Sequence, residues 1–127
     1  MIQQLIDTAT ILPLMTAADK TGALDEVLTA AQSSSAFPKK ETDQIRQALL
    51  EREDRGSTGI GNGVAVPHVK SDAVKKLGLV VARSEAGVEF QAIDGRPVHI
   101  FFLLVSPADK AEDHLECLKW IAGLARN

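Results

Sequence analysis

Apolar residues recur every three or four positions in the first half of the chain, a spacing typical of amphipathic helices. A first helix is predicted from about Ala17 to Gln32, ended by the serines that follow. A second is expected to start near Pro38, which suits a first helical turn, and to end between Glu53 and Arg55. Each pattern leaves one apolar face available for packing.

Short apolar runs in the second half predict buried strands. Val64–Val66 is one of them, and its pairing should end at Pro67 because proline has no N–H to donate to a ladder. Leu77–Ala82 is another, separated from the first by polar residues.

A hairpin is predicted where residues 88–93 and 97–105 flank the turn signal Asp94-Gly95. His99 lies within the second of these strands and is interpreted as a structural side chain that faces the hairpin partner. Apolar residues between Leu115 and Ala122 indicate a last helix. The whole pattern predicts an α/β fold, with a mixed β-sheet flanked by helices on both faces, an α/β sandwich.

Composition narrows the class of protein. A chain of 127 residues fits one domain, residues 1–127. The formal net charge of -3 and the absence of a long basic run argue against nucleic acid and against an anionic membrane as partners. Met1–Met15 lacks the basic start of a signal peptide, and no stretch has the length of a membrane span. We therefore expect a cytoplasmic protein with no direct membrane insertion.

A glycine-rich stretch leads directly into His68. Glycines allow positive φ angles and expose backbone N–H groups, which together can bind an anion. The predicted phosphate cradle consists of Ser57, Thr58, Gly59, Gly61, Asn62 and Gly63. Glycine clusters are more often plain turns, and this one matches neither the Walker loop, which needs a lysine, nor the dinucleotide fingerprint, which follows a strand.

The three histidines are compatible with several kinds of functional site. A metal site is disfavoured because His68, His99 and His114 are scattered and no second cysteine or closely spaced histidine pair supports them. A hydrolase would use Ser57 or Thr58 as nucleophile and His68 as base, but the G-x-S-x-G pattern is missing.

A third interpretation makes His68 itself the nucleophile toward a phosphoryl group. One ring nitrogen would attack, while the other would donate its proton to a fixed acceptor such as a backbone carbonyl. The guanidinium of Arg52, the imidazole of His114 and the amides of the glycine stretch are the candidates for stabilising the transferred charge.

These residues closely resemble a family signature. Arg52-Glu53, followed by the run STGIGNGVAVPH from Ser57 to His68, is similar to the signature of the type-2 enzyme IIA domains of the bacterial sugar phosphotransferase system. Fructose, mannitol and nitrogen-regulatory proteins make up this family. The match continues through Phe90–Val98 and from Ser106–Asp109 to His114-Leu115, so it covers most of the chain.

The resemblance implies a phosphoryl carrier that needs no cofactor. His68 would accept a phosphoryl group from phosphorylated HPr, the histidine carrier protein of the system, or from its nitrogen-branch paralogue. His114 would help to hold the group, and Arg52 would bind beside it. Sugar-transporting members pass the phosphoryl group to a IIB domain, whereas the state of nitrogen-regulatory members is read by target proteins. Gly56–Gly63 looks most like the nitrogen-regulatory branch.

Two departures from the family pattern bear on these expectations. Val69 stands where many members have glycine or another small residue, and valine resists a positive φ. Family domains usually continue for a further helix beyond the position of Asn127, which predicts a domain that lacks its C-terminal helix. A regulatory binding protein without histidine chemistry and a small hydrolase remain the alternative functions.

Overall fold

The computed structural model describes residues 1–32 and 42–126 of the protein. Their helices and strands are, in chain order, α1 (Ile2–Asp7), β1 (Thr10–Leu12), α2 (Lys20–Ala31), α3 (Thr42–Asp54), β2 (Gly59–Gly61), β3 (Val64–Ala65), β4 (His68–Lys70), β5 (Gly78–Val88), β6 (Val98–Ser106) and α4 (Ala111–Ala125). The predicted start of the second helix, near Pro38, lies outside the described residues.

The six strands form one mixed sheet in the order β1-β5-β6-β3-β2, with β4 also pairing with β6. β5 and β6 are antiparallel, whereas β3 and β4 run parallel to β6 and β1 runs parallel to β5. The predicted mixed sheet is confirmed. β6 is its centre, and β4 ends beside the C-terminal end of β6.

Helices cover both faces of the sheet, as predicted. Side chains alternate along a strand, so Phe101, Leu103 and Val105 of β6 face α2 and α3, while Leu104 faces α1 and α4. Two apolar clusters result, one on each face. The prediction of an α/β sandwich is confirmed.

Each long helix packs one stripe of buried side chains against the sheet, and in α3 and α4 this stripe includes a polar residue. α2 begins at Asp19, whose carboxylate accepts a hydrogen bond from the Gly22 N–H at 2.8 Å. Along α3 the buried stripe ends in a charged residue, Glu53, and along α4 it begins with His114. Two polar side chains are therefore held in the position of core residues.

The predicted hairpin is present, but its first strand is different. β5 runs to Val88, which pairs with Val98, whereas residues 89–93 leave the sheet. The alternation in that segment comes from Phe90, which packs edge-on against Phe101 at 5.2 Å between ring centroids, and from Ala92, which is also buried. The predicted strand over residues 88–93 was therefore wrong: these side chains are buried in the core from an irregular segment.

Pro67 does not end the pairing of its chain segment, contrary to the prediction. Its carbonyl accepts a hydrogen bond from the Leu104 N–H at 3.0 Å, and parallel pairing with β6 resumes at His68. Proline lacks only the donor, so a ladder that needs its acceptor can continue. His68 thus begins a strand.

Candidate functional site

A cleft of about 670 Å³ opens at the edge of the sheet between the end of α3 and the start of α4. The residues that line it are Ala48, Glu51, Arg52, Arg55, His68, Val69, Lys70, Ala111, His114, Leu115 and Leu118. The structure therefore brings together the three side chains that the sequence singled out for phosphoryl chemistry. A larger cavity of about 840 Å³ lies elsewhere, beside the C-terminal end of α4, and contains none of the three.

The register of two parallel strands explains how the histidines meet. His68 of β4 lies opposite Leu104 of β6, and Lys70 lies opposite Ser106. Side chains two residues apart share a face, so His68, Leu104 and Ser106 all point to the α4 side of the sheet. His114, a buried residue of α4, approaches the same face of the sheet from the helix.

His68 is held by one backbone hydrogen bond. Its Nδ1 lies 2.6 Å from the carbonyl oxygen of Val66. A carbonyl can only accept, so Nδ1 carries the proton and Nε2 keeps its lone pair. Burial lowers the pKa of His68, and the charge of Arg52 lowers it further, while the carbonyl and Glu53 oppose the shift. The ring is neutral at pH 7, with a nucleophilic nitrogen at Nε2.

His114 is only 4% exposed, and its ring centroid lies 5.5 Å from that of His68 with the planes inclined at 57°. Its Nδ1 is hydrogen-bonded to Oγ of Ser106. Burial, followed by repulsion from the protonated form of His68 and from Lys70, lowers the pKa of His114 to about 4. The cleft therefore contains a second neutral imidazole.

Arg52 stands in the last turn of α3 and donates from Nη1 to the Gly56 carbonyl at 2.8 Å. One guanidinium N–H is thereby used, which orients the fork and leaves the others for a ligand. Arg55 and Lys70 also line the cleft, where the acid is Glu51. The surroundings of the two imidazoles are cationic and suit an anion.

The glycine-rich stretch does not line this cleft. β2 and β3 form a hairpin whose two-residue turn, Asn62-Gly63, has φ angles of 57° and 77°. Positive φ at both positions is the backbone of a type I′ turn, for which Asn-Gly is the preferred sequence. Asn62 N–H donates to Asp94 at 3.1 Å, and a Cβ on Gly59 would lie 2.7 Å from that of Ala92. These glycines serve turn geometry and close packing.

The amides and hydroxyls that precede the hairpin are also engaged within the protein. Thr58 donates its N–H at 2.9 Å, and its hydroxyl as well, to Oε1 of Glu53. Ser57 Oγ accepts the Gly59 N–H at 3.0 Å and contacts the Phe90 carbonyl at 3.4 Å. Neither hydroxyl lines the cleft that contains the histidines, so neither is placed as a nucleophile beside His68.

The sequence analysis did not single out Glu51, Arg55 and Lys70, which line the cleft. It also missed two buried polar residues beside the site. Glu53 is buried and forms an ion pair through Oε2 with Nζ of Lys20 at 2.8 Å, in addition to its bonds to Thr58. Ser106 is fully buried behind His114. The available signals were a carboxylate at the apolar spacing of α3 and a serine that ends an apolar strand.

Val69 and His99 are placed without strain. Val69 lies within β4, and among the described residues only Asn62 and Gln91 have a positive φ apart from glycines. His99 is exposed, and its Nδ1 lies 2.9 Å from the Ser84 carbonyl of β5, so it contacts the hairpin partner as predicted.

Fold and site together define a class of protein, and a comparison with known families identifies it. Residues 4–127 match the family described as "Phosphoenolpyruvate-dependent sugar phosphotransferase system, EIIA 2". The chain belongs to this family, whose members carry phosphoryl groups as phosphohistidine. The resemblance stated from the motif is confirmed.

Individual relatives represent both branches of the family. A nitrogen regulatory protein of Bradyrhizobium diazoefficiens is 36% identical over 99% of this chain and 80% of its own length. A fructose-specific EIIA component of Haloferax volcanii is 40% identical over 80% of this chain and 64% of its own length. In the crystal structure of the nitrogen regulatory protein IIA-Ntr from Neisseria meningitidis, the matched chain has a TM-score of 0.79 at 33% identity, covering 90% of this chain and 76% of that one.

Within residues 1–32 and 42–126, no helix is long and apolar enough to cross a membrane. No group of three or more His, Cys, Asp or Glu side chains in the same residues could hold a metal ion.

Proposed function

We propose that the protein is a cytoplasmic phosphoryl carrier in which Nε2 of His68 accepts a phosphoryl group from phosphorylated HPr or its nitrogen-branch paralogue. The observation that carries the proposal is the bond from Nδ1 of His68 to the Val66 carbonyl, which leaves Nε2 unprotonated at the cleft. A neutral imidazole is the form that attacks phosphorus. Its lowered pKa keeps it in that form at neutral pH.

Transfer of the phosphoryl group from the donor imidazole to His68 exchanges one P–N bond for another and moves no proton. The Nε2 lone pair of His68 forms the new P–N bond while the P–N bond to the donor imidazole breaks and returns its electron pair to the donor. The ring of His68 gains positive charge and keeps its Nδ1 proton. The Val66 carbonyl, 2.6 Å from Nδ1, stabilises that charge as it develops.

The neighbours of His68 supply the positive potential that the phosphoryl oxygens require. Arg52 offers a fork of N–H groups, and His114 offers a neutral donor. Donors fixed before the reaction stabilise the transition state without reorganisation. The glycine-rich hairpin has no part in this mechanism, because it does not line the cleft that contains His68. The N–H groups of Thr58, Gly59 and Asn62 donate within the protein.

Within the family we favour the nitrogen-regulatory role, in which target proteins read the phosphorylation state. The sequence of Gly56–Gly63 and a relative named nitrogen regulatory protein that matches 99% of the chain both support this choice. Transport of a sugar, with transfer to a IIB domain, is the second candidate. The relative named as a fructose-specific EIIA component supports it.

The test is reconstitution with phosphoenolpyruvate, the first enzyme of the system and HPr, followed by intact mass measurement. The mass should rise by one phosphoryl group, and the label should be lost in acid and kept in base. His99→Ala is a matched control, because His99 lies outside the cleft. It should be labelled like the parent protein, whereas His68→Ala should not be labelled. An unlabelled parent protein, with both HPr and the nitrogen-branch paralogue as donors, would overturn the proposal.

A further inference from the structure

Ser106 occupies an unusual position for a hydroxyl group. It is the last residue of β6, has no exposed surface, and its backbone carbonyl accepts the Ser71 N–H at 2.8 Å. Its Oγ is hydrogen-bonded to Nδ1 of His114, eight residues later, and to no other group in the described part of the chain. The hydroxyl is therefore dedicated to one ring nitrogen.

The protons available on Ser106 and His114 determine which of the two donates in the hydrogen bond between Oγ and Nδ1. Ser106 has one hydroxyl proton, and a neutral imidazole has one donor nitrogen and one acceptor nitrogen. If Nδ1 of His114 donated, the hydroxyl proton of Ser106 would be buried without an acceptor among the described residues, which is costly. If Ser106 donates, every proton has a partner or faces the cleft. The lowered pKa of His114 excludes a doubly protonated ring at pH 7.

The geometry points to Ser106 as a positioning residue that fixes His114 as the Nε2–H tautomer, with this proton directed into the cleft beside His68. The direction follows from the ring itself, because a proton on Nε2 points away from a partner bound at Nδ1. This inference rests on the proposed function only for its kinetic consequence. The tautomer can be measured without any phosphoryl transfer.

The two imidazoles thus hold complementary tautomers. The Val66 carbonyl places the proton of His68 on Nδ1 and leaves Nε2 as a nucleophile. The Ser106 hydroxyl does the reverse for His114, which makes its Nε2 a donor and removes it as a competing nucleophile. The two histidines of the cleft therefore have different roles because their Nδ1 atoms have different hydrogen-bond partners.

The direct test is a long-range ¹H–¹⁵N correlation spectrum of the unphosphorylated protein. Nδ1 of His114 should have the shift of an unprotonated nitrogen and Nε2 that of a protonated one, with the opposite assignment for His68. Ser106→Thr keeps the hydroxyl and should keep the tautomer. Ser106→Ala should produce a mixture of tautomers. A predominant Nδ1–H form of His114 in the parent protein would overturn the inference, and this measurement needs no variant.

A kinetic cycle separates positioning from a structural role. Ser106→Ala should slow acceptance of the phosphoryl group by about fivefold, the factor that a neutral hydrogen bond supports. The same substitution should have no further effect in a His114→Ala background, because Ser106 acts through His114. Ser84→Ala removes another buried serine, which accepts the Gly87 N–H away from the cleft, and should leave the rate unchanged. Equal slowing by Ser106→Ala in both backgrounds would contradict the positioning role.

Discussion

Replacing Glu53 with alanine should destabilise the protein by about 3 kcal/mol, because the substitution removes the shared acceptor of a buried network. The Glu53 side chain is 4% exposed and ion-paired with Lys20, whose side chain is 21% exposed. Oε1 receives both the N–H and the hydroxyl of Thr58, a residue with 3% of its surface exposed. This network joins the start of α2 to the turn between α3 and β2.

The magnitude follows from what each donor loses. The two donors of Thr58 stay buried without an acceptor, at about 1–3 kcal/mol each at most, and loop relaxation should recover part of that cost. The Lys20 ammonium is partly exposed and can be hydrated, so its loss adds less. For a domain of this size, about 3 kcal/mol corresponds to a fall of about 12 °C in the thermal midpoint.

Urea unfolding of matched variants measures the effect. Glu53→Gln keeps an acceptor for Thr58 and should cost about 1–2 kcal/mol, mainly from the lost ion pair. Asp25→Asn disrupts the exposed ion pair with Arg46, whose side chains are 45% and 41% exposed, and should cost less than about 1 kcal/mol. A Glu53→Ala variant within about 1 kcal/mol of the parent protein would refute the role of the buried carboxylate.

Three further predictions address the cleft and the hairpin. Arg52→Lys should slow phosphorylation with little change in thermal midpoint, because an ammonium cannot reproduce the fork; an unchanged transfer rate would remove Arg52 from the site. Between pH 6.5 and about 4 the unfolded chain binds a proton on His114 that the folded protein does not, so the free energy of unfolding should fall on acidification, by on the order of 3 kcal/mol. His114→Gln should lose this part of the pH dependence in urea titrations at several pH values, and an identical slope would contradict the assignment. Gly63→Ala, at a φ of 77°, should cost about 1 kcal/mol in unfolding yet leave the transfer rate unaltered, whereas a slowed transfer would restore the cradle interpretation.

The sequence was sufficient to predict the sandwich and the three side chains that meet in the cleft, because apolar spacing and the motif around His68 are local signals. It was insufficient for Ser106, whose partner depends on how α4 packs over β6, and for Glu53, whose partner Lys20 comes from another helix. Such contacts between distant segments leave no local pattern beyond a polar residue at a core position.

The glycine-rich stretch illustrates a different limit. Asn-Gly between strand-like residues is a hairpin signal as well as part of an anion-binding pattern, and the sequence alone did not decide between them. In the structure the Asn62 N–H donates to Asp94 and the Thr58 N–H donates to Glu53, so these two amides already have partners. The extent of β5 was also hidden, because the polar residues Arg83, Ser84 and Glu85 continue the strand beyond its apolar start.

The identity of the nitrogen that receives the phosphoryl group tests the central claim most directly. After labelling from phosphorylated HPr, ³¹P and ¹⁵N correlation spectra of the protein, combined with a fragment mass map, identify both the residue and the ring position. We predict a single label on His68, bonded to Nε2, with Nδ1 still protonated and hydrogen-bonded to the Val66 carbonyl. A label on Nδ1 of His68, on His114, or on Ser57 as an acid-stable ester would contradict it.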